Sequence, residues 1–198
     1  MRSTWEGSDH LSPLPSSPTG MAMRTAVVGV GQELLGDDAA GLAVCRRLQE
    51  LAQDLGTALI IPAGPAPENC TAQLRRFAPD WVVLVDAARM EAAPGTVRWI
   101  PWEEAEAIGG STHTLPLRLL SEFLSSSMGC RVSLLGIQPS ETTLGAPLSP
   151  SVGDAVESVA RGLAALLAES GPPGSRLDVL EPQSPSPAYA RGLQEVGS

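Results

Sequence analysis

Apolar and polar positions along this chain switch repeatedly between a strand pattern and a helix pattern. Arg24–Val30 reads RTAVVGV, a β-branched run ending in glycine, and predicts a short buried strand. Leu42, Cys45, Leu48 and Leu51 then recur at helical spacing, which predicts a helix with that face on a sheet. Asp37 or Asp38 is placed to cap it. Ala58–Ile61 predicts a second strand, and Pro65–Glu68 (PAPE) opens a helix running to about Phe77. Trp81–Val85 (WVVLV) is the strongest strand signal and reads as buried on both faces. Gly95–Ile100 predicts a strand after a Pro94-Gly95 turn, Leu115–Leu124 a helix, and Arg131–Ile137 a further strand. Val152, Val156, Val159, Leu163, Leu166 and Leu167 give a last helix its apolar face. Such alternation predicts an α/β protein: a largely parallel sheet with helices on both faces.

The two ends do not share this patterning. Residues 1–22 are rich in Ser, Pro and Gly, and 171–198 carry Pro172, Pro173, Pro182, Pro185 and Pro187. Both are expected to be disordered, a leader and a tail around a folded domain of 23–170, and Met21 or Met23 is an alternative start. The length of 198 residues suits one domain with a substantial core. No apolar run approaches the roughly 18–20 residues that span a bilayer, and no secretory h-region is visible, so no membrane partner is expected. A net charge of -9 would be repelled by phosphate backbones and disfavours nucleic acid. Cys45, Cys70 and Cys130 form neither a disulfide framework nor a CxxC pattern. They read as buried thiols in a cytoplasmic, reduced setting.

Three residues stand at predicted strand-to-helix junctions. The loop Gly29-Val30-Gly31-Gln32-Glu33-Leu34-Leu35-Gly36-Asp37-Asp38 begins as a dinucleotide fingerprint does. Leu34 replaces its third glycine, and two carboxylates sit where a pyrophosphate needs positive potential. One of Asp37 and Asp38 suffices as a cap, which leaves the other for a crevice. Asp86 ends the WVVLV strand, on the edge where open α/β sheets bind ligands. His113 is the one histidine of the predicted domain, in Gly109-Gly110-Ser111-Thr112-His113-Thr114-Leu115, where Ser111 or Thr112 can cap a helix. Taken singly, each is also an ordinary cap or turn residue. Together, two carboxylates and an imidazole suit a divalent transition metal with open coordination positions. Neither a Gly-x-Ser-x-Gly elbow nor a His-Glu-x-x-His helix is present.

At this point the sequence resembles the hydrogenase maturation endopeptidases, most closely the formate-hydrogenlyase type, over about residues 24–168. Gly29-Val30-Gly31 through Leu35-Gly36-Asp37-Asp38-Ala39-Ala40-Gly41 looks like the family's first motif. Pro65-Ala66-Pro67-Glu68-Asn69, Val85-Asp86-Ala87 with Pro94-Gly95-Thr96, and Ser111-Thr112-His113 follow in order. Leu135-Gly136-Ile137-Gln138-Pro139 with Leu148-Ser149 completes the series. Gln32 departs from the asparagine usual after the second glycine. The resemblance implies a three-layer α/β/α sandwich around a mostly parallel twisted sheet. It implies a cytoplasmic, aspartyl-type endopeptidase that removes a C-terminal extension from the nickel-loaded large-subunit precursor of a nickel-iron hydrogenase. It also implies that Asp38, Asp86 and His113 contact the nickel carried by the substrate, and that they are the catalytic set. Two rivals remain: a nickel-recognising binding protein or chaperone that docks without cutting, and a nucleotide-binding α/β protein.

Overall fold

In a computed structural model the protein is described over residues 23–51, 58–100 and 114–169. The expected leader, the expected tail and His113 lie outside the described residues. The elements run β1 (Thr25–Val30), α1 (Ala40–Leu51), β2 (Ala58–Gly64), α2 (Thr71–Phe77) and β3 (Trp81–Ala87). They continue with β4 (Val97–Ile100), α3 (Thr114–Met128), β5 (Arg131–Ile137) and α4 (Pro150–Glu169). Short 3-10 turns at Gly36–Ala39 and Pro67–Cys70 lead into α1 and α2.

The strand order is β2-β1-β3-β5-β4. β2, β1, β3 and β5 are parallel, and β4 closes one edge antiparallel to β5. β4 can run that way because it is the terminal strand and pairs on one side only.

Period-two alternation sorts the strand residues between two cores. Val27, Val83, Val85, Leu135 and Ile137 pack with Val44, Cys45 and Leu48 of α1 and Val152, Val156 and Val159 of α4. Val28, Val82, Leu84 and Leu134 pack with Leu74 of α2 and Leu117, Leu120 and Leu124 of α3. The result is three layers, as the alternation of periods implied. Every residue of β1 and β3 is buried, and each buried Val or Leu stabilises by about 1.5–3 kcal/mol. On the outer surface Arg47 of α1 binds Glu157 of α4 through two guanidinium nitrogens, at 2.7 and 3.1 Å.

The topology creates a place for chemistry. From β1 the chain passes to β2 on one side, and β3 then pairs on the other side of β1. Helical connections diverge at such a switch point and leave a crevice beyond the carboxyl ends of the strands.

Candidate active site

Asp38 follows β1 and Asp86 closes β3, so the switch point lies between them. Three glycines let the backbones approach there. A Cβ on Gly41 would stand 2.2 Å from the Val85 carbonyl oxygen and 2.4 Å from that of Val30. The start of α1 therefore rests directly on the ends of β1 and β3. Gly29 meets the Gly41 carbonyl in the same way. Gly31, at φ +137°, has no room for a Cβ against the Asp38 carbonyl. This packing seats the start of α1, and the 3-10 turn that leads into it, against Val85, the residue before Asp86.

The two neighbouring aspartates do different work. Asp38 is half-buried, and one of its carboxylate oxygens accepts the Gln32 amide at 2.7 Å, closing the loop on itself. Asp37 is fully buried. Its carboxylate accepts the amides of Ser140 (2.8 Å), Glu141 (2.9 Å) and Ser149 (2.7 Å), and the Ser149 hydroxyl (2.9 Å). Its own amide donates to the Glu141 carbonyl. Burial pushes the Asp37 carboxyl up, but the hydrogen bonds from Ser149, Glu141 and Ser140 outweigh it and hold it below the usual carboxylate range. Both aspartates lie in the first turn of the 3-10 segment that leads into α1. Leu35 occupies the cap position, without a side-chain cap bond. Asp37 instead ties down the amide just ahead of α4, more than a hundred residues away in sequence.

Asp86 is buried, and its Oδ1 accepts the Ala87 amide at 2.9 Å. It pairs in register with Gly136 of β5. By alternation it belongs to the face of Val82 and Leu84, the face that α3 covers. α3 begins at Thr114, the residue after His113.

Two residues quoted only as parts of strings gain roles. Gln138 Oε1 accepts the amides of Met90 (2.6 Å) and Ala92 (3.4 Å), holding the segment after β3 against the end of β5. Ser149 bridges Asp37 to the start of α4. No local signal could have marked either, because both partners are distant in sequence. A pocket of about 250 Å³ opens beside them, lined by Arg89, Glu91, Gln138, Pro139, Ser140 and Thr142.

The thiols are closed off as nucleophiles. All three cysteines are free and buried. Burial pushes Cys45 up to about 12 and Cys70 up to about 11, and raises Cys130. The Cys45 and Cys70 thiols donate to the backbone carbonyls of Ile61 and Pro67. A protonated buried thiol is inert. Among the described residues no three His, Cys, Asp or Glu side chains form a group able to hold a metal.

Comparison with known proteins completes the picture. The family model for hydrogenase maturation protease matches residues 42–165, a stretch that contains Asp86 and His113 and begins just past Asp38. The Hydrogenase 3 maturation protease of Escherichia coli K12 is 35% identical over 138 residues, covering 69% of this chain and 86% of its own. A putative hydrogenase maturation protease of Methanocaldococcus jannaschii is 31% identical over 122 residues, covering 59% of this chain and 72% of its own. The crystal structure of the nickel-iron hydrogenase maturation protease HycI from Thermococcus kodakarensis superposes with a TM-score of 0.66 at 32% identity, covering 73% of this chain and 92% of that one.

Proposed function

Since this chain belongs to the hydrogenase maturation protease family and is an endopeptidase, we propose that it removes a C-terminal extension from the nickel-loaded large subunit of a nickel-iron hydrogenase. We assign the site to Asp38, Asp86 and His113. The observation that carries this reading is the packing of Gly41 on the Val30 and Val85 carbonyls. It brings a carboxylate from the first junction and a carboxylate from the third strand to one edge of the sheet. His113 directly precedes the helix on the face to which Asp86 belongs.

The chemistry follows from the side chains. Peptide hydrolysis needs a nucleophile, and the buried thiols are unsuited to supply one. In this reading water is the nucleophile, and a carboxylate at the sheet edge orients it and accepts its proton. Two carboxylates and one imidazole make a sparse donor set, and transition metals take four to six ligands. Oxygen and nitrogen donors fit nickel that arrives on the substrate with its remaining ligands. Such an ion supplies polarisation of a nearby carbonyl. The enzyme's share is to hold Asp38 and Asp86 in place, which the Gln32 amide and the β3–β5 register accomplish. We place this reaction in the cytoplasm, where three free thiols persist.

The test offers the same precursor with and without nickel and follows the C-terminal peptide by mass. Cleavage of the nickel-loaded form alone is expected. Equal cleavage of both forms would overturn the bridging role of the metal and leave a site that reads sequence.

A further inference from the structure

The pocket formed by the segments that follow β3 and β5 has fixed walls and uncommitted charges. One wall continues β3: the Ala88 amide donates to the Ile137 carbonyl, and Gln138 holds the Met90 and Ala92 amides. The other wall, through Ser140 and Glu141, hangs on the Asp37 carboxylate, next in sequence to Asp38. Both candidate carboxylates are thus tied by chain or hydrogen bond to the pocket's frame. The side chains it carries are much less engaged. Among the described residues Arg89 has one hydrogen-bond partner, the Thr142 hydroxyl across the pocket at a long 3.5 Å. Glu91, at φ +53°, has no hydrogen bond or ion pair with any described residue. Arg89 and Glu91 line one small space without pairing with each other.

The volume of about 250 Å³ is below the roughly 300–1,000 Å³ typical of small-molecule pockets, so it suits one side chain of a longer ligand. A guanidinium presents five donors in a fixed fork that matches a carboxylate. Arg89 already reaches across the space, so its fork is presented to whatever enters. We propose that this pocket is a substrate subsite in which Arg89 pairs with a carboxylate side chain of the precursor, in the segment beside the scissile bond. Glu91 opposes that charge and keeps the pocket from gathering free anions. The proposal rests on the reading that the chain cleaves this precursor.

The test measures both cleavage and non-covalent binding of the nickel-loaded precursor by the full-length chain and by Arg89→Ala, Arg89→Lys, Glu91→Gln and Arg161→Ala. Arg89→Ala is expected to raise KM and Kd about tenfold, the weight of a hydrogen bond to a charged group, and Arg89→Lys to fall between. Its kcat stays within about twofold, since uniform binding is what is lost. Glu91→Gln is expected to lower both constants by about two- to threefold by removing a repulsion. Arg161, on the outer surface of α4, serves as the control and leaves them unchanged. Unaltered constants in Arg89→Ala overturn the subsite, as does a rise in both Arg89→Ala and Glu91→Gln. A wild-type chain that binds but does not cut counts against the proteolytic reading, while the binding series still decides the subsite.

Discussion

At the amino end of the sheet aromatic contacts join an exposed bond from the Arg24 amide to the Asp80 carboxylate at 2.8 Å, whereas at the carboxyl end the closing contacts are hydrogen bonds to a buried carboxylate and close backbone approaches. Trp81 opens β3, stacks on Trp99 with centroids 6.1 Å apart, and donates its indole N–H to the Ser133 hydroxyl at 3.0 Å. The Arg131 guanidinium lies over the Trp81 ring and that of Arg24 over Phe77. These contacts are worth area and dispersion, and they tolerate small displacements. At the other end Asp37 fixes three backbone amides and a hydroxyl at once. Hydrogen bonds to a buried charge are directional and steep, so they position what they hold. The amino end mainly contributes stability, and the carboxyl end mainly contributes placement.

Variants at the two ends test that division. The largest effect is expected at the site itself. Asp38→Asn, Asp86→Asn and His113→Ala should each reduce precursor processing by about 10²–10⁴-fold, the range for loss of an acid–base group. The thermal midpoints of Asp38→Asn and Asp86→Asn should stay close to wild type, because the amide keeps an acceptor oxygen for the Gln32 and Ala87 amides. A variant that unfolds would show its residue to be part of the frame.

Next in size is Asp37→Asn. The amide turns one acceptor oxygen into a donor facing backbone N–H groups, which costs about 2–4 kcal/mol. Activity should fall along with stability, because the loop that carries Ser140 and the turn that carries Asp38 lose their common anchor. The sign with pH is fixed by the depressed carboxyl. Its stabilisation is complete above the ordinary value of 3.8 and is lost as pH falls through the lower folded value. Thermal midpoints of wild type and Asp37→Asn should therefore converge below pH 3.8 and be farthest apart near neutrality. A gap independent of pH would mean that the carboxylate charge is not what holds the loop.

The smallest effect is expected at the amino end. Trp81→Phe keeps a ring in place and leaves the Ser133 hydroxyl without its donor, at about 1 kcal/mol. A slightly lower denaturation midpoint with unchanged kcat/KM is the expected outcome. Lost activity in a folded Trp81→Phe would erase the distinction between the two ends.

Much of the frame was legible without coordinates. The runs RTAVVGV, WVVLV and RVSLLGI became β1, β3 and β5, and the helical stripe Leu42, Cys45 and Leu48 became the buried face of α1. The second strand ran on past Ile61 to Gly64, and Leu115–Leu124 lengthened to Thr114–Met128. Boundaries of this kind depend on packing at element ends, where periodicity carries little information. The roles of neighbouring Asp37 and Asp38 were not separable in the same way.

What the sequence by itself determined was the set of elements, the two apolar faces and the residue types gathered at the strand ends. Period and β-branching act over a few residues, so they can be read from the chain directly. Tertiary structure alone showed that Asp37 is part of the frame. It also decided that Gln138 would hold the segment after β3, and that Arg89 and Glu91 would share a pocket. Each of these depends on contacts between segments far apart in sequence. The partners of the Asp37 carboxylate lie at least 103 residues away, and no local pattern encodes a hydrogen bond across that span.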